Sequence, residues 1–432
     1  MIFGTDGIRA PMDEFPLDRV TIEKLSRVLS DWLPRPARVV LGMDSRASCE
    51  RVKAWIYAYL SDIQVLDLGL VPTPVVAFET RARAADLGIM ITASHNPARD
   101  NGLKFFDRRG LKLPYDVAEL WSAELKNLAA AGPARKADPL PTGPDAYRSF
   151  ICEHFKPEDF RGLRVGFDFA HGAGSVFLRE CIKSLEMEAE IIGDRPNGSN
   201  INQNIGALHP GALSRRMRES NLDVGFALDG DGDRLVVLDP EPLHGDLTLY
   251  ALYRVMGREG VPLSALVGTI LCGMGLERKL AEEGVSLIRT PVGDQHVLAE
   301  MIKQRLILGG EPSGHLIQGD LFPAGDGFLG ALRLARALRA DPNLLKDVRT
   351  QVPLFPVLEK SFQVRHKPAL EEVPEIRVHL NHLKTVLAGR GRIILRYSGT
   401  EPKIRLFLEA ENLAPLNEHI QSLERVLVRE LT

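Results

Sequence analysis

Three stretches of the chain carry the same order of apolar and polar blocks. The first opens with the short apolar run Arg38-Val39-Val40-Leu41-Gly42-Met43, passes through an amphipathic segment over residues 49–60, and reaches a second apolar run at 65–69. It ends at Leu87-Gly88-Ile89-Met90-Ile91, which opens into Thr92-Ala93-Ser94-His95-Asn96-Pro97. The second stretch has apolar runs at 163–167 and 189–192 flanking a helical pattern at 176–185. It ends at residues 224–228, followed by Asp229-Gly230-Asp231-Gly232-Asp233-Arg234. The third has runs at 265–271 and 286–288 around a helical pattern at 276–283, and ends at 306–310 before Glu311-Pro312-Ser313-Gly314-His315.

Short, nearly continuous apolar runs alternating with amphipathic helices predict parallel sheets covered on both faces. The intervals between copies differ, so the pattern predicts related domains and not a solenoid. After Val352-Pro353-Leu354-Phe355-Pro356 the pattern changes. Strands at 392–396 and 404–409 and a helix at 416–428 predict a small α+β domain. The expected architecture is three related α/β domains with mixed, mostly parallel sheets plus a smaller C-terminal α+β domain around a central cleft. The expected boundaries are 1–150, 151–250, 251–353 and 354–432. In open α/β sheets, ligands bind beyond the carboxyl ends of the strands, where each of the three unusual loops falls.

Composition narrows the function classes. A length of 432 residues suits several domains, and a net charge of -3 gives no general attraction to nucleic acid or to an anionic membrane. Cys49, Cys152, Cys181 and Cys272 are widely spaced and form no Cys-x-x-Cys pair. A disulfide or zinc framework is therefore not expected, and a reducing cytoplasm is. The amino terminus lacks the pattern of a signal peptide, and no apolar run is long enough to span a bilayer.

The loops then carry the chemistry. Asp229, Asp231 and Asp233, separated by glycines, can turn three carboxylates toward one point, which suits a hard divalent cation such as Mg²⁺. An EF-hand shares the Asp-x-Asp-x-Asp opening but needs Gly at the sixth position and Glu at the twelfth, where this chain has Arg234 and Pro240. An acidic turn is the plainer reading, opposed by the repulsion of three clustered charges. Thr92–Pro97 taken alone reads as a turn; its equivalence to the aspartate loop is what singles out Ser94, with Lys104 following closely. Arg396, Ser398, Gly399, Thr400 and Arg405 form an oxyanion clamp of two guanidiniums, two hydroxyls and a backbone open to close approach, or else an ordinary hairpin with surface arginines. Glu311 and Ser313 offer groups suited to sugar hydroxyls, in a loop that also reads as a simple turn.

As a set, these blocks resemble the α-D-phosphohexomutase family along essentially the whole chain. Gly4–Arg9, Thr92–Pro97, Asp100–Phe106, Asp229–Arg234, Glu311–His315 and Arg396–Pro402 follow the family order. Asp6, the Asn101–Phe106 segment and Val292-Gly293-Asp294 favour its glucosamine-phosphate branch over the phosphomannomutase/phosphoglucomutase branch. Ala10, His171, Gln295-His296, Pro312 and Tyr397 depart from that branch's usual residues, Pro312 within the sugar loop itself.

The resemblance implies an enzyme interconverting hexose 6-phosphate and 1-phosphate, most readily glucosamine phosphates, through a phosphoserine at Ser94 and a sugar 1,6-bisphosphate that also primes it. It implies Mg²⁺ on Asp229, Asp231, Asp233 and the Ser94 phosphate. Glu311 and Ser313 would grip sugar hydroxyls, and the Arg396–Arg405 set would hold the non-reacting phosphate. Arg9, His95, Lys104, Arg234 and His315 would line the cleft, with Lys104 and His315 in proton transfer. The expected partner is a small-molecule hexose phosphate, with no nucleic acid or membrane, acting as monomer or homodimer. A Mg²⁺-dependent sugar phosphatase and a non-catalytic sugar-phosphate sensor are the readings to be separated from it.

Overall fold

Each of the three repeated blocks folds as a parallel three-strand centre with one antiparallel return. The computed structural model describes residues 2–4, 7–60, 62–129, 134, 137–398 and 402–431. In the first sheet the strands are β1 (Ile8–Pro11), β2 (Ala37–Met43), β3 (Ile63–Leu70), β4 (Leu87–Ile91), β5 (Asp100–Phe106) and β6 (Leu140–Pro141), ordered β1-β5-β4-β2-β3-β6. The second comprises β7 (Arg164–Asp168), β8 (Glu188–Ile192), β9 (Val224–Leu228), β10 (Leu235–Asp239) and β11 (Glu241–Pro242), ordered β11-β10-β9-β7-β8. The third comprises β12 (Ala265–Thr269), β13 (Ser286–Thr290), β14 (Leu308–Gly310), β15 (Leu316–Gln318) and β16 (Phe322–Gly325), ordered β13-β12-β14-β15-β16.

The correspondence is topological. β2 pairs in parallel with β3 and β4, β7 with β8 and β9, and β12 with β13 and β14. The next strand (β5, β10 or β15) then turns back antiparallel against the last of each set. The three chemically unusual loops are therefore the same connection in three copies. Every residue of β4, β9 and β12 is buried, as strands covered on both faces require. Helices Thr73–Ala82, Gly245–Arg258 and Gly327–Ala340 are buried along most of their length and exposed at their C-terminal ends, and Asp326 starts the last of them by accepting the Leu329 N–H at 2.9 Å.

The chain divides into two compact units, Met1–Leu271 with Val285–Arg349, and Cys272–Gly284 with Thr350–Thr432. The second unit holds an antiparallel sheet of β17 (Val357–Gln363), β18 (Gly391–Tyr397) and β19 (Lys403–Ala410), ordered β17-β19-β18. Helices Pro374–Leu387 and Asn417–Leu431 pack on it around Leu383, Leu406, Leu408, Leu423 and Leu427. Helix Met274–Glu282, the crossover between β12 and β13, belongs to this unit. The Met274 N–H donates to Glu409 at 2.9 Å, and Arg278 pairs with Glu411 at 2.7 Å. Among the described residues, no helix is long and apolar enough to cross a membrane.

Candidate active site

Ser94 closes the connection between β4 and β5 in a left-handed backbone conformation, φ 51°, uncommon for a residue with a side chain. Its N–H donates to Thr92 Oγ1 at 2.8 Å, and its own hydroxyl donates to Asp229 Oδ2 at 2.6 Å. His95 Nδ1 lies 3.3 Å from the same hydroxyl. The first and second repeats thus meet at one oxygen. Gly230 makes the approach possible, because a β-carbon there would stand 2.6 Å from the Ser94 carbonyl oxygen.

The three aspartates converge as their spacing predicts. Asp229, Asp231 and Asp233 are buried, and one ligand atom from each lies within 4.8 Å of the others. Lys104, on β5, reaches the same point, its Nζ 2.8 Å from Asp231 Oδ2 and 2.6 Å from Asp233 Oδ2. Thr73 Oγ1 also donates to Asp231 Oδ2, while Asp231 Oδ1 and Asp233 Oδ1 are buried without a hydrogen-bond partner. Buried acceptors without donors are costly, and a hard cation would satisfy them. The donor set therefore fits a divalent metal. The charges that Lys104 meets at that point are the carboxylates of Asp231 and Asp233.

Electrostatics separates the titratable groups. Burial, then the charges of Asp233 and Asp231, push the Asp229 carboxyl up to about 8. Burial opposes the charge on Asp231 as well, but Lys104 and the Thr73 hydroxyl more than offset it, and its pKa falls below the usual range. Burial, then Arg234 and Arg9, lower His95 to about 4. Burial also opposes the His315 imidazolium, yet Asp294 and then Asp233 outweigh it and raise the ring above its ordinary value. His315 Nε2 stands 3.1 Å from Asp294 Oδ2, and Lys112 pairs with the same carboxylate.

The third loop joins the aspartate loop through the backbone. Arg234 and His315 form an isolated antiparallel bridge, and the Leu235 N–H donates to the Gly314 carbonyl at 2.9 Å. Gly314 sits at φ 89°, and a β-carbon there would lie 2.3 Å from the Leu235 oxygen. Glu311 Oε1 accepts the Gly293 N–H at 3.0 Å, and Ser313 is exposed at the loop tip. Arg9 on β1 is half-buried, and its charge acts on both His95 and Asp231.

In the second unit, Arg396 and Arg405 stand directly opposite each other on β18 and β19. Burial, then Arg405, lower the Arg396 pKa. Ser398 is buried, its N–H donating to the Lys403 carbonyl at 2.8 Å and its own carbonyl accepting from Lys367 Nζ at 2.7 Å. Gly399 and Thr400 lie outside the described residues. Sequence reasoning missed Thr73, Arg46, Lys112, Asp294 as a partner of His315, and Asn202. Arg46 could have been found from the strand-end rule, since Asp44-Ser45-Arg46 follows β2 directly. Nothing in Pro72-Thr73-Pro74 beyond a helix start pointed to the Thr73 hydroxyl.

Comparison with known proteins is consistent from end to end. Profiles of the phosphoglucomutase/phosphomannomutase family match residues 1–130 (α/β/α domain I), 145–244 (domain II), 244–355 (domain III) and 359–423 (C-terminal domain). A phosphoglucosamine mutase from Solidesulfovibrio magneticus is 36% identical, covering 100% of this chain and 99% of its own. Another, from Leuconostoc mesenteroides, is 35% identical over 99% of this chain and 97% of its own. Among solved structures, a phosphoglucomutase/phosphomannomutase family protein from Burkholderia thailandensis superposes with a TM-score of 0.79 at 22% identity, covering 99% of this chain and 96% of its own. The Aspergillus fumigatus N-acetylphosphoglucosamine mutase in complex with GlcNAc-6P and magnesium superposes with a TM-score of 0.65 at 17% identity, over 99% of this chain and 95% of its own. At those identities the two structures speak for the fold alone.

Proposed function

The chain belongs to the α-D-phosphohexomutase family, and we propose that it interconverts glucosamine 6-phosphate and glucosamine 1-phosphate through a phosphoserine at Ser94. The observation that carries the residue assignment is the Ser94 hydroxyl, which lies 2.6 Å from Asp229 at the rim of three convergent carboxylates. Such a triad would hold Mg²⁺, which supplies charge neutralisation for a transferring phosphoryl group.

In the forward step the bond between phosphorus and Ser94 Oγ breaks as the sugar hydroxyl oxygen bonds to phosphorus, giving a sugar 1,6-bisphosphate. Ser94 Oγ takes up a proton as it is released, and the attacking sugar hydroxyl gives one up. The bisphosphate then turns round and returns its other phosphoryl group to Ser94. On that return, His95 Nδ1, 3.3 Å from the hydroxyl, is placed to accept the Ser94 proton, while Asp229 Oδ2 at 2.6 Å orients that hydroxyl. Lys104, Arg9 and Arg234 supply positive charge around the transferring group, and His315, held above its ordinary pKa, can donate to a sugar oxygen. Glu311 and Ser313 take sugar hydroxyls. Arg396, Ser398, Gly399, Thr400 and Arg405 take the non-reacting phosphate, a site that reads phosphate and so accepts either orientation of the bisphosphate.

The domain limits we propose are 1–150, 151–250, 251–353 and 354–432. A hexose 1,6-bisphosphate would prime unphosphorylated protein, and the setting we propose is the cytoplasm, with the protein as monomer or homodimer and neither nucleic acid nor membrane as partner. The test is a coupled assay on glucosamine, glucose and mannose 6-phosphates, with and without bisphosphate. The expected result is fastest 1-phosphate formation from the glucosamine substrate, with a lag removed by the primer. Release of inorganic phosphate in place of the isomer would establish a phosphatase. Binding without exchange would establish a sensor, and preference for mannose phosphate would overturn the glucosamine assignment.

A further inference from the structure

Arg46 belongs to none of the loops assigned to metal, sugar or phosphate, yet its buried guanidinium is wrapped by the Ser94 loop. Nη2 donates to the carbonyl oxygens of Ser94 at 3.0 Å and Asn96 at 2.8 Å. Nη1 donates to the carbonyls of Asp100, at 2.9 Å, and Pro97. Nε completes the set on Asp44 Oδ2 at 2.9 Å. The same Asp44 oxygen accepts from Thr92 Oγ1 at 2.7 Å, and that hydroxyl accepts the Ser94 N–H at 2.8 Å. Both backbone polar groups of Ser94 therefore lead back to one buried ion pair, Asp44 with Arg46.

A second hold comes from the loop that follows β8. Asn202 Nδ2 donates to the Ser94 carbonyl at 2.8 Å and to the Asn96 carbonyl at 3.2 Å. The Ser94 carbonyl thus accepts from a guanidinium and an amide together, which satisfies both its lone pairs. This peptide is the one that needs fixing. Ser94 is held at φ 51°, a left-handed conformation unfavourable for a residue with a β-carbon, and one that persists only where its surroundings enforce it.

We infer that Arg46 and Asn202 are positioning residues for phosphoryl transfer, fixing the Ser94 peptide so that Oγ faces the aspartate loop. The inference rests on the proposed phosphoserine chemistry. It differs from a purely structural role in what it requires: loss of either hold lowers the transfer rate of molecules that remain folded. Holding a nucleophile in line supplies rate, and a misplacement of about 1 Å costs on the order of a hundredfold.

The test uses full-length Arg46→Lys and Asn202→Ala, normalised to folded protein by circular dichroism. Arg46→Lys keeps a positive charge beside Asp44 and removes the fork that reaches four carbonyls. Asn202→Ala removes one half-buried amide, so it reports on the loop even where the lysine variant does not fold. Both kcat and the rate at which Ser94 takes phosphate from a hexose 1,6-bisphosphate, read by intact mass, are measured. The expected result is a kcat lower by about a hundredfold for Arg46→Lys and about tenfold for Asn202→Ala, with KM within about threefold. Folded variants with wild-type kcat, or with a change confined to KM, would overturn the inference alone. Wild-type protein that isomerises no hexose phosphate would instead overturn the functional reading on which it rests.

Discussion

Ser94 Oγ and Asp229 Oδ2 share a 2.6 Å hydrogen bond that joins equivalent connections of two repeats. Asp229 is also the carboxyl that burial and its two neighbours push up to about 8, whereas Asp231 is held ionised by Lys104 and Thr73. The two aspartates therefore play opposite parts in metal-free protein. Asp229→Asn replaces a group that is protonated at neutral pH and keeps an acceptor for Ser94, so in EDTA it should melt at or above wild type. Asp231→Asn strips a buried ammonium of one carboxylate partner and should lose about 3 kcal/mol, melting several degrees lower. Both variants should lose more than about a hundredfold in Mg²⁺-supported activity. Thermal melts in EDTA with parallel assays check this, and equal destabilisation of the two would contradict it.

Much of the first unit was legible because its signals are local. The apolar run at 87–91 is β4 itself, and the runs at 224–228 and 163–167 match β9 and β7 to within a residue. The aspartate loop declared its geometry because glycines alternate with like charges. What stayed hidden depended on chain reversal and on partners far away. β17 carries Glu359, Lys360 and Ser361 along a sheet edge and has no apolar run to betray it. Helix Pro374–Leu387 packs through scattered Ile376, Leu383 and Leu387, too sparse to stand out. Arg46 meets its carbonyl acceptors about 50 residues along the chain, a relationship that no spacing rule reveals.

Acid should destabilise the protein partly through His95. Its folded-state pKa is about 4, against an ordinary value of 6.5, because burial and two arginines disfavour the imidazolium. The unfolded chain thus binds a proton that the folded chain resists. The contribution is fully present above pH 6.5 and is lost as pH falls from 6.5 toward 4. For a ring that keeps some solvent access, the loss at pH 5 is about 1 kcal/mol. Urea unfolding of unphosphorylated protein in EDTA should show wild type losing about that much more than His95→Gln between pH 7 and pH 5. Parallel curves for the two proteins would exclude His95 as a source of the acid sensitivity.

Arg396 and Arg405 face each other across β18 and β19, an arrangement that like charges make unfavourable until an anion lies between them. Sulfate or phosphate should therefore raise the melting temperature of the wild-type chain more than chloride does at matched ionic strength. Arg396→Gln should remove most of that difference. It should also raise KM for the hexose phosphate about ten- to a hundredfold, the worth of one charge-assisted pair, with kcat within about threefold. An unchanged KM would take the two arginines out of substrate binding.

Gly230 lets the aspartate loop touch the serine loop. A β-carbon there would lie 2.6 Å from the Ser94 oxygen, 2.8 Å from Asn202 Nδ2 and 2.9 Å from Ile201 Cδ1. Two of those neighbours move only with difficulty, because the Ser94 carbonyl is held by Arg46 at 3.0 Å and Asn202 is held by that same carbonyl at 2.8 Å. Gly230→Ala should push the two connections apart and lengthen the path from Ser94 Oγ to Asp229. A shift of about 1 Å would cost kcat on the order of a hundredfold. Gly257 supplies the control: it lies inside helix Gly245–Arg258 with open space where its β-carbon would go. Gly257→Ala should stabilise the chain by about 0.5–1 kcal/mol and leave kcat unchanged. Measured side by side, equal activity of the two variants would show that contact between the loops does not matter to transfer. A deficit confined to Gly230→Ala would place the catalytic geometry at the Ser94–Asp229 junction.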